Sequence, residues 1–162
     1  MKCIYTKPEL ENLSQGERIA FARQMRNMTQ DEVSEKLGFT GECKRRSMAR
    51  YERGDRVPKD ERLQEIANIL NINVKCIKEY NFNDDEDMIY MLLWMEEMFP
   101  RMNIDLAISD YYPDLREKKI LNFMNEWKEM REKRISHEIT YDEYIEWKFQ
   151  YDFSKGEVNE EY

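Results

Sequence analysis

Leu63, Ile66, Ala67 and Leu70 recur at i, i+3, i+4 and i+7, with Pro58 just ahead of them. That spacing gathers four apolar side chains on one face, a strong signal for an amphipathic helix. Upstream, Thr29 with Glu32 three residues later makes a capping box, Val33 and Leu37 share a face, and Gly38 supplies a stop. GERIAFARQM reads as an earlier helix. Ile19, Ala20, Ala22 or Arg23, and Met25 or Arg26 form its amphipathic face, Phe21 lies near its start, and Asn27–Met28 breaks it. A helix through CKRRSMARYE sets Met48 and Tyr51 on one side, with Thr40 a candidate N-cap and Gly54 the terminator. Asn73 can cap a last short helix carrying Val74, Ile77 and Tyr80. Only five glycines and four prolines in 162 residues argue against a turn-rich all-β fold, so the expected class is mainly α.

Charge is unevenly placed. The chain carries a formal net charge of -8, yet between Cys43 and Pro58 six cations (Lys44, Arg45, Arg46, Arg50, Arg53, Arg56) face only Glu52 and Asp55. Residues 1–80 hold 16 Lys and Arg against 13 Asp and Glu, while residues 81–162 hold 10 against 21. Such asymmetry suggests different partners for the two halves. The longest apolar run, Met88–Met95, is eight residues and cannot span a bilayer. With no signal-peptide pattern, a cytoplasmic protein without membrane contact is expected. Cys3, Cys43 and Cys76 form no CxxC pair and His137 is the single histidine, so neither a zinc site nor another metal is expected and the thiols read as free. No Gly-rich phosphate loop or GxSxG occurs. The expectation is therefore a protein that is not an enzyme and needs no cofactor.

GERIAFARQM, TQDEVSEKLG and ARYERGDRVPKDERLQEIANILNIN together resemble the Cro/repressor-type (XRE) helix-turn-helix family over about residues 15–80. The resemblance implies a five-helix domain that binds double-stranded DNA, with Met48 and Tyr51 anchoring a recognition helix. Lys44, Arg45, Arg46 and Ser47 would read base edges, and Gln30 matches the family's phosphate-contacting glutamine. Arg50, Arg53 and Arg56 are expected to touch the DNA backbone or to pair with Glu52 and Asp55. The chemistry agrees with this: phosphates attract Lys and Arg whatever the sequence, whereas bases are read by forked or short polar groups in the major groove. Gly38 to Tyr51 is longer than in shorter family members by about one helical turn. Either the recognition helix begins a turn earlier or its leading loop is larger, which leaves open which of residues 41–47 reach the bases.

Residues 81–87, NFNDDED, read as an acidic linker that also caps the next helix, placing a domain boundary between residues 80 and 81. DMIYMLLWMEEMF is apolar nearly all round and should be buried, with Pro100 ending it. Met102, Ile104, Leu106 and Ile108 alternate with polar or small residues, a period that favours one short strand. From Pro113 a long helix shows Ile120, Phe123 or Met124, Trp127 and Met130. Thr140 with Glu143 then opens a helix with Tyr144, Ile145, Trp147 or Lys148, and Tyr151 on its apolar side. The tail SKGEVNEEY reads as disordered. Residues 81–162 are thus expected to form an acidic, mostly helical domain for dimerisation or partner contact, like extensions of other bacterial helix-turn-helix proteins.

The leading functional expectation is a bacterial or phage-type repressor acting as a homodimer on an inverted-repeat operator. The alternative is an anti-CRISPR protein whose acidic half inhibits a Cas nuclease while its helix-turn-helix domain controls its own operon. An antitoxin, with a toxin as partner of residues 81–162, is a third reading.

Overall fold

The computed structural model describes residues 8–41, 44–99 and 115–156. In chain order its helices are α1 (Gln15–Met25), α2 (Gln30–Lys36), α3 (Lys44–Glu52), α4 (Asp60–Leu70), α5 (Asp85–Met98), α6 (Leu115–Ile135) and α7 (Tyr141–Gln150). A 3-10 turn, Val74–Cys76, follows α4, and another, Phe153–Gly156, follows α7. Among the described residues there is no strand; the alternating segment 102–109 lies outside them. The chain divides into two compact units, Met1–Arg101 and Met102–Tyr162.

Local chemistry sets the ends of the helices. Ser14 accepts from the Glu17 N–H and starts α1. At α2 the capping box is complete: the Glu32 N–H donates to Thr29 Oγ1 at 3.1 Å and the Thr29 N–H to Glu32 Oε2 at 2.6 Å. Gly38, at φ +79°, takes the left-handed conformation that closes that helix. The expected fifth helix is a single 3-10 turn, capped as anticipated by Asn73, whose Oδ1 accepts from the Lys75 N–H.

The first unit closes over Ile19, Phe21 and Ala22 of α1, Val33 and Leu37 at α2, Met48 and Tyr51 of α3, and Leu63, Ile66, Ala67 and Leu70 of α4, all buried. Short helices leave carbonyls without intrahelical partners, and arginines from elsewhere in the unit take several of them. Arg26 at the end of α1 donates to Leu70 O at 2.6 Å and Asn71 O at 2.8 Å. Arg62 of α4 donates to Leu37 O at 2.9 Å. Arg18 of α1 is wholly buried, donating to Cys76 O at 3.0 Å and Lys78 O at 2.8 Å beneath the Tyr80 ring. Burial lowers its pKa, with Tyr80 and Glu79 acting in the opposite direction.

The helix that composition assigns to the C-terminal domain belongs by packing to this unit. Trp94 of α5 donates its indole N–H to Cys76 O at 2.8 Å and meets the Phe21 ring edge-on at 5.4 Å. Tyr80 donates to the same carbonyl at 2.9 Å, so three side chains converge on Cys76 O. Asp87 accepts from the backbone N–H groups of Asn81 and Phe82 and lies 2.6 Å from the Lys78 ammonium; Glu86 pairs with Lys75 at 2.6 Å. By packing, α5 lies in the compact unit Met1–Arg101. The reason is that α5 supplies Ile89, Tyr90, Leu93 and Trp94 to the core of the first unit, whereas charge composition reports only surface. Cys76, sealed beneath this node, has its thiol pushed up to about 12 by burial and is inert as a nucleophile. Cys3 and Cys43 lie outside the described residues.

The second unit is a helical hairpin. Thr140 and Glu143 form the second capping box at the head of α7. Trp127 donates its indole N–H to the Tyr144 hydroxyl at 2.8 Å, Phe123 stacks on Trp127, and Ile145 and Phe149 are buried. Phe123 rather than Met124 takes the core position. Lys148 is buried where Trp147 is half-exposed, its ammonium 4.7 Å from the Tyr144 ring centroid. Ser154 to Gly156 complete the final 3-10 turn, and the remainder of the tail lies outside the described residues.

Two predictions follow from the docking of α5. Trp94→Ala removes both the indole donor and the aromatic contact, and should lower the stability of the first unit by about 3–5 kcal/mol in urea unfolding. A loss below about 1 kcal/mol would mean that α5 docks only loosely. Burial acts to raise the Asp87 pKa, but Lys78 and the two backbone N–H groups outweigh it and hold the carboxyl below its usual 3.8. A depressed folded pKa stabilises above the unfolded value and loses that contribution as pH falls through the folded one. Acid unfolding followed by tryptophan fluorescence should show this loss below about pH 4, and Asp87→Asn should flatten it.

Candidate nucleic-acid interface

α3 is described from Lys44 to Glu52. Its inner side is fixed by Met48, which is fully buried, and Tyr51. A helix anchored at those two positions turns Arg46 and Arg50 to solvent and leaves Ser47 half-buried. Lys44 and Arg45 occupy the first turn of the helical backbone. A cationic, hydrogen-bonding face backed by an apolar one is the arrangement a helix needs to enter the major groove.

The position of α3 depends on a buried ion pair. Arg23 of α1 meets Glu52, the last residue of α3, with two parallel hydrogen bonds: Nε to Oε1 at 2.6 Å and Nη2 to Oε2 at 3.0 Å. The Arg23 side chain is 11% exposed and the Glu52 side chain 7%. Arg23 also donates to Met28 O at 2.7 Å, and Gln30 of α2 donates its amide to Glu52 Oε2 at 2.7 Å. The carboxylate therefore ties three helices together and orients the Gln30 amide, whose second N–H remains a donor in chemistry. Gly16 permits the close approach of α1 to the end of α3: a Cβ there would lie 2.2 Å from Glu52 O.

The expected partners of the loop cations divide. Arg53 pairs with Asp55, its Nη2 2.7 Å from Oδ2, in an exposed bridge of little energetic weight. Glu52 is engaged by Arg23 and Gln30 instead of by Arg50, Arg53 or Arg56. Arg56 lies over the Tyr51 ring at 5.7 Å, and its N–H donates to Arg50 O at 3.2 Å, which folds the loop back on the end of α3. Sequence reasoning missed the Arg23–Glu52 pair because 29 residues separate the partners, beyond any helical spacing rule. It also left Arg18 and Arg62 unassigned and named Arg26 only as an alternative to Met25 on the face of the first helix; the guanidinium groups of all three are turned to backbone carbonyls.

Two short helices joined through a turn, the next one anchored by Met48 and Tyr51 with cations outward, and a fourth closing the core make up a helix-turn-helix DNA-binding fold. Residues 16–79 match the family model described as a helix-turn-helix domain. That match and the fold support a helix-turn-helix domain of the Cro/repressor (XRE) type in the N-terminal part of the chain, as in DNA-binding transcription regulators in general. The match stops short of α5. No curated protein and no solved structure matches the chain.

Glu52→Ala should cost about 3–5 kcal/mol, because it strands a buried guanidinium. The double variant Arg23→Met with Glu52→Leu should recover most of that loss. Denaturant midpoints for the three variants check the prediction; equal destabilisation of single and double variants would point to lost packing instead of a stranded charge.

Proposed function

We propose that the protein is a sequence-specific transcriptional repressor that acts as a homodimer on an inverted-repeat operator, by binding alone. The observation that carries the reading is α3, with Arg46 and Arg50 exposed and Ser47 half-exposed over the buried Met48 and Tyr51. In this reading Lys44, Arg45, Arg46 and Ser47 contact base edges, while Gln30, Arg50, Arg53 and Arg56 contact phosphates. Phosphate contacts hold the register and the base contacts choose the site. A two-fold protein then places two recognition helices about 34 Å apart, one turn of DNA.

The rival reading, capture of a Cas nuclease by an acidic C-terminal domain, keeps only part of its electrostatic support once charge is assigned by packing. Residues 81–99 hold six acids and no cation, and α5 packs on the DNA-binding unit with Glu86 and Asp87 paired to Lys75 and Lys78. Residues 102–162, the second unit, hold nine cations and 15 acids. The second unit thus keeps a formal charge of -6, part of the -11 carried by residues 81–162 as a whole.

Arg46→Ala should weaken operator binding by about 1–3 kcal/mol and relax preference at one base pair. Arg56→Ala should weaken operator and random duplex alike and lower the salt slope by about one unit. Affinities for both duplexes at several salt concentrations separate the two behaviours. If substitutions across residues 44–47 weaken both duplexes equally, the face is an electrostatic patch and the protein does not read sequence. Footprinting upstream of the gene should show a dyad, and light scattering a dimer; a site without a dyad bound by a monomer would exclude the two-fold arrangement.

A further inference from the structure

The second unit carries a cleft of about 310 Å³ between α6, α7 and the final 3-10 turn. Trp147, Tyr151 and Phe153 supply its aromatic lining, and Glu126, Asp152 and Lys119 reach it from the sides. We propose that this cleft is a binding site for a small organic cation, an alkylated ammonium or guanidinium group.

The geometry favours that chemistry in three ways. The Trp147 and Tyr151 rings meet edge to face at 5.5 Å with 63° between their planes, so with Phe153 they form one aromatic wall of the cleft against which a cation can lie. The Trp147 indole N–H donates to Glu126 Oε1 at 2.7 Å. That bond fixes the carboxylate at the indole edge and pushes electron density into the ring, which strengthens attraction for a cation on its face. Asp152 is anchored by the Ser154 N–H at 3.1 Å and by the Ser154 hydroxyl, which holds a second carboxylate at the cleft.

The field inside has the matching sign. Two carboxylates face one ammonium, Lys119, among the lining residues. The Tyr151 hydroxyl responds to that field: burial raises its pKa first, and Glu126 and Asp152 raise it further. An anionic ligand would meet both carboxylates unfavourably. The volume lies at the lower end of small-molecule sites, which suits a head group of tetramethylammonium or choline size.

The test is choline titrated into the full-length protein in the millimolar range at constant ionic strength, read from the indole N–H resonances of Trp147 and Trp127. Dimethylbutanol, the neutral carbon isostere of choline, is the control. The expected result is a saturable shift of the Trp147 signal by choline, no saturable shift by the isostere, and an unmoved Trp127 signal. Asp152→Asn should weaken choline by about three- to tenfold while leaving the Trp127 signal in place. A peptide bearing a trimethyllysine side chain, titrated alongside, distinguishes a free cation from one presented by a protein, and binding of either supports the site. No saturable shift with any cation, an equal response to the isostere, or unchanged affinity in Asp152→Asn would overturn it.

Discussion

The paired hydrogen bonds between Arg23 and Glu52 are the constraint on which the cationic face of α3 depends. A buried ion pair adds little net stability over well-packed apolar residues, but it permits only one arrangement of its partners, and breaking it leaves a stranded charge. Here those partners belong to α1 and α3, with Gln30 of α2 on the same carboxylate. α3 is held from its last residue, Glu52, while Met48 and Tyr51 hold its inner side. Gly16 completes the joint, since only a residue without a Cβ lets α1 come so close to the backbone of α3. The exposed polar face of α3 follows from these contacts, because a helix fixed at one end and along one side has little freedom to rotate.

Arginine serves two purposes in the first unit, separated by burial. Arg18, Arg23, Arg26 and Arg62 turn their guanidinium groups to carbonyls or to Glu52 and join helix ends across the fold. Short helices expose a large proportion of unsatisfied carbonyls, and a forked donor on a long stem can reach them from another helix. Arg46, Arg50, Arg53 and Arg56 remain at the surface around α3. A count of positive charge therefore overstates what is available to DNA, and acidic α5 neutralises Lys75 and Lys78 on the same unit. The concentration of positive charge around α3 is a local property of one face of a unit whose residues 1–99 hold 16 cations against 19 acids.

The node at Cys76 O shows how the unit extends beyond the segment matched by the family model. Donors from α1, from Tyr80 and from α5 converge on one carbonyl at the end of the 3-10 turn. A single carbonyl cannot satisfy three donors ideally, but burial leaves those donors few alternatives, and the cost of an unmade bond keeps them there. α5 is thereby an integral layer of the DNA-binding unit, and the chain continues from it toward the second unit.

What the sequence by itself determined was everything governed by spacing within about one helical turn. Both capping boxes, Thr29 with Glu32 and Thr140 with Glu143, formed as read. So did the Asn73 cap, the Gly38 stop, the Leu63–Leu70 face, and the burial of Met48, Tyr51 and Trp127. The helix-turn-helix class was legible for the same reason, since the short helices and their punctuation are local. Tertiary structure alone decided the partner of Glu52, the burial of Arg18 and the allegiance of α5. Those contacts join residues 29, 58 and 18 apart. A local pattern can state that a side chain is polar or a helix apolar all round, but which distant group satisfies it depends on how the helices pack. Composition changes at 80/81 because charge is carried on the surface, while the compact unit that includes α5 is defined by the apolar core it shares.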